Sequence, residues 1–227
     1  MIELPEESDL SKQTEKVEAE VYKPFREGDF PKSEESANQI ELSVQRLREI
    51  EGLRDENWGR LDEFGRRAVL EAAGREVADV YDHPAPPLHI QDMHDPALRG
   101  TYGDGFRSGH DGELEGADYK ISMNSEGHHL GEGVLGDDPR PALETYLHEF
   151  RHSYQHEQIN RLEKPQFQNL VNDHGLAREW SDNLQDYRNP ELDFESYFNQ
   201  PVESDARDFA DQIVTRLLPE SDENGKR

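Results

Sequence analysis

The sequence predicts an α+β protein that combines amphipathic helices with a small sheet. Apolar residues recur at spacings of three and four through residues 58–81 and again through 143–154, which is typical of helices that bury one face. Between these segments, residues 117–124 alternate apolar and polar side chains, as a half-buried strand does. Segments rich in Gly, Asp and Pro separate the two kinds of pattern and indicate loops.

The first helical segment follows a stretch of different composition. Residues 1–38 are dense in Glu, Lys, Ser and Pro and poor in apolar residues, so we expect an acidic, disordered N-terminal arm. Residues 39–227 form one predicted domain. Its expected parts are a helical segment (39–82), a sheet (86–124), a helix (141–160) and a C-terminal helical lobe (166–219).

Three short segments supply the predicted sheet. Residues 87–91 and 98–102 have the length of strands, and 117–124 shows the clearest alternation of apolar and polar side chains. The preceding helix must end before the proline-rich segment 83–87, because proline cannot continue a helix.

The charge and the lack of cysteine exclude several classes of function. The chain has 51 acidic and 25 basic residues and a net charge of −26. This charge opposes nucleic-acid binding, because phosphates require clustered Lys and Arg. It favours a basic substrate or partner, and the alternative is an acidic surface that serves only solubility. Since the chain contains no cysteine, disulfides, cysteine-ligated zinc and a thiol nucleophile are all excluded.

The distribution of apolar residues bears on the location of the protein. No run of eighteen apolar residues predicts a membrane span. Residues 1–7 have neither the basic nor the apolar region of an ordinary signal peptide. We therefore expect a cytoplasmic protein, or one that is exported by a dedicated secretion system.

Residues 148–152 form an H-E-x-x-H motif inside a run that is predicted to be helical. His148 and His152 share one helix face, so their imidazoles can reach a single tetrahedral zinc ion. Glu149 lies about a quarter-turn from that face, where it can activate a water beside the metal without becoming a ligand. A chain this rich in His and Glu can also contain the motif by chance, so the pattern requires a third ligand.

Glu203 is the best candidate for the third ligand. It heads an otherwise apolar stripe on a predicted helix that ends before Pro219. The stripe continues with Ala206, Ala210, Ile213 and Leu217. A carboxylate directed into a core is costly unless it is paired or metal-bound. The alternative is that Glu203 stabilises its helix N-terminus through the helix dipole.

Other acidic and histidine residues are weaker candidates. The rivals of Glu203 are Asp193, Glu195 and Asp205, none of which leads an apolar stripe. His156 extends the row of histidines but lies too far along the helix to share the same ion, so we expect it beside the site or on the surface. His174 and the pair His128-His129 are expected to be solvated or hydrogen-bonded rather than ligands.

The H-E-x-x-H motif, followed by Glu203-x-x-Ala206 and then Phe209-Ala210, resembles the zincin metallopeptidases of the gluzincin type. The segment E-S-D-A-R-D-F-A, followed by L-L-P, resembles the third-ligand helix of ImmA/IrrE-type peptidases. The wider context looks like the zincin domains of bacterial polymorphic toxins and phage-associated proteins. It includes Trp180, Asn183, Tyr187 and Tyr197. The resemblance covers about residues 117–219.

The resemblance implies a zincin-like fold, in which an edge strand lies beside the active-site helix and extended substrate adds to that strand. Residues 117–124 are the candidate for this strand, and the alternative is an ordinary strand of the sheet with no contact with substrate. The small sheet would be twisted, and the C-terminal helical lobe would bring Glu203 to the metal.

The resulting hypothesis is a zinc-dependent endopeptidase, and its biological setting would be that of a toxin or effector. Zinc would be bound by His148, His152 and Glu203, and Glu149 would be the general base. The oxyanion of the transition state also requires a donor. Tyr197 is preferred for this role over Tyr154 and His174.

Two other classes of function remain open on the sequence alone. One is a non-catalytic zinc-binding interaction or phage-structural module, and the other is an acidic helical binding protein without a metal. An inhibitory or immunity partner has no support from individual residues.

Overall fold

A computed structural model describes residues 34–94, 98–103, 120–125 and 133–219 of the chain. The chain divides into two units between Ser36 and Ala37, and the second unit contains the site. The predicted α+β class is confirmed, since the described residues are mostly helical and form one three-stranded sheet. The predicted disordered arm falls almost wholly outside the described residues and stays a prediction.

Helices form the first part of the described chain. They are α1 (Glu34–Leu47), α2 (Asp55–Trp58) and α3 (Glu63–Tyr81), with a short 3₁₀ helix at Glu51–Leu53 between α1 and α2. The Asp62 side chain caps α3 by accepting a hydrogen bond from the Gly65 N–H. Asp82 ends α3 in the left-handed conformation, which turns the chain towards the sheet.

The sheet contains β1 (Leu88–Gln91), β2 (Gly100–Tyr102) and β3 (Ile121–Asn124) in the order β1-β3-β2. β3 pairs in parallel with β1 and antiparallel with β2. The prediction that residues 117–124 form the edge strand is therefore wrong for its described part, because β3 lies in the middle of the described strands. β2 lies at one edge of the described sheet, and its Gly100 packs against the helix that carries His148 and His152.

The physical reason for this correction is the burial of the polar side chains of β3. All four residues of β3 are buried, including Ser122 and Asn124. The Asn124 side chain accepts a hydrogen bond from the Met93 N–H and donates one to the Leu98 carbonyl. Alternation of apolar and polar residues indicates a half-exposed strand, but the Asn124 side chain is buried because it finds hydrogen-bond partners.

The C-terminal part of the chain is built around the long helix α4 (Pro139–Glu163). It continues through a 3₁₀ helix (Pro165–Leu170), α5 (His174–Gln185), α6 (Phe194–Phe198) and α7 (Pro201–Leu217). Within the predicted helical lobe, α5 begins where the Asp173 side chain caps it by accepting hydrogen bonds from the Gly175 and Leu176 N–H groups.

Helices α4 and α7 form an extensive interface of the described chain, and it positions the site. Ala206 and Ala210 of α7 are fully buried, so the two backbones can approach closely. The packing face of α4 is also buried and consists of Leu143, Leu147, Phe150 and Tyr154. Among the described helices, none is both long and apolar enough to cross a membrane.

Candidate metal centre

His148 and His152 project from one face of α4, one turn apart. Their rings are nearly perpendicular, at 88°, and the ring centroids are 4.6 Å apart. Their two Nε2 atoms lie 3.0 Å from each other. Each ring therefore directs the same nitrogen towards one point beside the helix.

Glu203, in the first turn of α7, brings its carboxylate to the same point. Its Oε2 lies 3.3 Å from His148 Nε2, and its Oε1 lies 3.6 Å from His152 Nε2. Ligand atoms about 2.1 Å from a tetrahedral zinc ion are about 3.4 Å apart, so the observed separations suit a common ion. The group formed by His148, His152 and Glu203, called here the triad, could hold a metal ion.

The electrostatics of the triad favour a positive charge at its centre. Burial alone would raise the pKa of Glu203, but the two imidazoles hold it well below its ordinary value. Burial alone would lower the pKa of His152, but Glu203 and Glu149 raise it to about 9. The Glu203 carboxylate and the imidazoles thus stabilise each other's charge. A bound cation would stabilise the charge of the Glu203 carboxylate in the same way.

Two tyrosines surround the Glu203 carboxylate. The Tyr187 hydroxyl donates a hydrogen bond of 2.7 Å to Glu203 Oε1. Tyr197 interacts electrostatically with Glu203, and its ring packs edge-on against that of Tyr187 at 6.0 Å. Burial and the Glu203 charge raise the pKa of both hydroxyls, so both remain protonated and can donate. The sequence predicts Tyr197 at the site. It assigns no role there to Tyr187, because Tyr187 does not lie on the same helix as the motif.

Glu149 is buried between α4 and β2, with 7% of its surface exposed. It accepts a hydrogen bond from the Tyr102 backbone N–H, and it interacts electrostatically with both triad histidines. Burial raises the pKa of Glu149, although the histidines and this hydrogen bond oppose the increase. The glutamate therefore lies next to the triad in an environment that makes it a stronger base than an exposed carboxylate.

Asp205, one of the predicted rivals of Glu203, has a different partner. Its carboxylate accepts two hydrogen bonds from Arg151, at 2.7 and 3.0 Å. It accepts a third, at 2.7 Å, from Gln155. These bonds leave Asp205 as the counter-ion of a buried arginine. The other rivals, Asp193 and Glu195, are exposed, and Asp193 caps α6.

The structure gives other surroundings to Tyr154 and His174, which the sequence ranks below Tyr197 as oxyanion donors. Tyr154 follows His152 by two residues, which places it on the opposite side of α4, and its hydroxyl accepts a hydrogen bond from Asn172. His174 is exposed at the first turn of α5. His156 is half-buried against the Tyr102 ring, as expected for a residue beside the site. His128-His129 lies outside the described residues.

Comparison of the chain with protein-family models, with curated proteins and with solved structures found no match. The resemblance to zincin metallopeptidases therefore rests on the sequence motifs alone. The geometry of the triad can hold a cation between two imidazoles and a carboxylate, with a second, buried carboxylate next to it.

Proposed function

We propose that this protein is a zinc-dependent endopeptidase. The observation that carries the proposal is the convergence of His148, His152 and Glu203 within 3.0–3.6 Å beside the buried Glu149. Two imidazoles and one carboxylate are a ligand set of catalytic zinc, and three protein ligands leave one position for water or substrate. When bound, zinc would acidify water and polarise a substrate carbonyl.

Glu149 takes the role of general base. Its carboxylate accepts the proton of the attacking water and later donates it to the amine that leaves. Its position between α4 and β2, held by the Tyr102 N–H, aims the carboxylate alongside the triad. Its raised pKa suits a group that must both accept and release a proton near neutral pH.

Tyr197 takes the role of donor to the developing oxyanion. Its hydroxyl interacts electrostatically with both Glu203 and Glu149, which supports this role. A donor that is already in position when charge develops stabilises the transition state without reorganisation. Tyr187 donates a hydrogen bond to the Glu203 carboxylate and packs against the Tyr197 ring.

The substrate would be a protein or peptide. Strand β2 is an edge of the described sheet and lies beside α4, so an extended peptide can pair with it close to the triad. The net charge of −26 favours basic substrates through long-range attraction. A role as a bacterial toxin or effector protease is proposed from the zincin resemblance alone.

The decisive experiment pairs metal content with proteolysis of a dye-labelled unfolded protein. We expect about one zinc ion per wild-type chain, and turnover that disappears in Glu149→Gln while the metal is retained. Glu157→Gln is the matched control, because Glu157 is a half-buried carboxylate on the same helix that pairs with Arg161. It should keep both properties.

Each other outcome selects a different class of protein. Full turnover by Glu149→Gln would overturn the assigned mechanism. Stoichiometric metal in the wild type without any proteolysis would indicate a non-catalytic metal-binding module. A wild-type chain that binds no metal would leave an acidic helical interaction protein.

A further inference from the structure

We propose that Gln155 is a positioning residue of the metal site, which fixes the orientation of the His152 ring and ties it to the helix that carries Glu203. The proposal rests on the metal site of the proposed function. It assigns to Gln155 no contact with substrate and no part in proton transfer.

The hydrogen bonds of Gln155 determine how its amide is oriented. Its Nε2 donates to the Val202 carbonyl at 3.0 Å and to Asp205 Oδ2 at 2.7 Å. Both partners can only accept, so the amide nitrogen must face them and the amide oxygen must face the other way. The reversed amide would set an oxygen against two acceptors, at buried positions where an unpaired acceptor is costly.

The amide oxygen that results faces His152. Gln155 Oε1 lies 2.9 Å from His152 Nδ1, and because this oxygen can only accept, Nδ1 must carry a hydrogen. This holds whether the imidazole is neutral or charged. Nε2 is therefore the nitrogen left for a metal, and it is the nitrogen that lies 3.0 Å from His148 Nε2. Hydrogen bonds of this type orient ligand histidines and strengthen metal binding.

The same side chain contacts α7 on both sides of the ligand that this helix contributes. Val202 and Asp205 flank Glu203 in the sequence, and both accept hydrogen bonds from Gln155. One buried glutamine thus connects His152 on α4 with the first turn of α7. Any shift between the two helices would have to break at least one of these bonds.

Arg151 holds Asp205, one of the α7 partners of Gln155, in place. It forms a two-point ion pair with Asp205, and its guanidinium lies 4.8–5.9 Å from the centres of four aromatic rings. These rings belong to Tyr81, Tyr154, Trp180 and Phe209. The order of contacts is thus Arg151, Asp205, Gln155 and His152, leading from the core to the triad.

The experiment compares Gln155→Leu with Gln158→Leu. Gln158 is an equally buried glutamine on α4, and its side chain accepts a hydrogen bond from the Asn172 N–H rather than from the site. Zinc affinity is measured by competition with a chelator. We expect Gln155→Leu to weaken zinc binding by about 10- to 100-fold, and Gln158→Leu to leave it within about threefold of wild type.

A second measurement needs no metal and no activity. The Nδ1–H proton of His152 should give a slowly exchanging NMR signal in ¹⁵N-histidine-labelled wild type, with and without zinc. The signal should exchange rapidly in Gln155→Leu. Gln155→Glu retains an acceptor for Nδ1–H and should restore the protected signal, but it sets an oxygen against the Val202 carbonyl and Asp205 and so should not restore the full zinc affinity.

The outcomes separate this proposal from the proposed function. Wild-type zinc affinity in Gln155→Leu, or a wild-type His152 without a protected Nδ1–H, would overturn the positioning role. A wild-type chain that binds no zinc but shows the protected signal would overturn the proposed function and leave Gln155 orienting the ring. If Gln155→Leu does not fold, the wild-type signal still decides, because its absence overturns the positioning role.

Discussion

Gly100 lies so close to Glu149 that a β-carbon built on Gly100 would be 3.2 Å from Glu149 Cγ and 2.8 Å from Thr145 Cγ2. Glycine at this position allows β2 to rest directly on α4. We expect Gly100→Ala to push the strand away from the helix, lowering the free energy of unfolding by about 1–3 kcal/mol and weakening the bond from Tyr102 N–H to Glu149. Urea unfolding measures the first effect and proteolytic turnover the second.

Gly59→Ala provides the control for that substitution. A β-carbon at Gly59 would meet a single neighbour, at the ordinary contact distance of 3.6 Å. Its stability should change by less than about 1 kcal/mol. If the stability of Gly100→Ala also changed by so little, the close contact between β2 and α4 would not require glycine at this position.

The two tyrosines at Glu203 should have separable effects. Tyr187→Phe removes a 2.7 Å hydrogen bond to the ligand oxygen and should weaken zinc binding by about tenfold. Tyr197→Phe removes the proposed oxyanion donor and should reduce kcat by about 10²- to 10³-fold, with a smaller loss of zinc affinity. Chelator competition and steady-state kinetics on both variants test this. Equal effects on both quantities would contradict separate roles.

The buried ion pair between Arg151 and Asp205 should be costly to break from one side. Asp205→Asn leaves a buried guanidinium without its counter-ion, so we expect a loss of about 3–5 kcal/mol in the free energy of unfolding. The double variant Arg151→Met/Asp205→Leu removes both charges and should recover a large part of that loss. Urea unfolding measures the stability of both variants. If the two charges acted independently, the double variant would instead lose more stability than Asp205→Asn.

His83 should make stability depend on pH. Its Nε2–H donates to Ser153, whose own hydroxyl donates to the Phe150 carbonyl, and Nδ1 is buried without a partner among the described residues. Burial lowers the pKa of His83 to about 4. Of the smaller effects on this pKa, nearby Glu157 raises it and nearby Arg161 lowers it.

The sign follows from this lowered pKa. The folded protein binds fewer protons than the unfolded chain, so the contribution of His83 is complete above about pH 6.5 and is lost as the pH falls to about 4. The loss amounts to about 3 kcal/mol. His83→Gln should lack this part of the pH dependence when unfolding is compared at pH 7 and pH 4.5. Parallel pH profiles for wild type and variant would refute the assignment.

Part of the site was predictable because it depends on local periodicity. The four-residue spacing of His148 and His152 and the apolar stripe below Glu203 are properties of single helices. Gln155 could have been found in the same way, since it lies three residues after His152 on one helix.

The rest depends on how distant segments pack, which periodicity does not specify. The burial of Asn124 in β3 depends on a hydrogen bond that it accepts from the Met93 N–H and one that it donates to the Leu98 carbonyl. The contact of Tyr187 with Glu203 depends on the path of the chain between α5 and α7. The sequence makes Asp205 a rival ligand because it does not show that Arg151 is buried beside this carboxylate.

The origin of the triad from two helices has a consequence for folding. Glu203 follows His152 by 51 residues, so the three ligand atoms meet only after α7 has packed on α4. A cation held there would cross-link the two helices without a covalent bond, in a chain that has no disulfide. At a hundredfold excess over its dissociation constant, such a ligand adds about 2.7 kcal/mol to stability. The supply of metal would thus govern how long the folded protein persists, in addition to whether it can act.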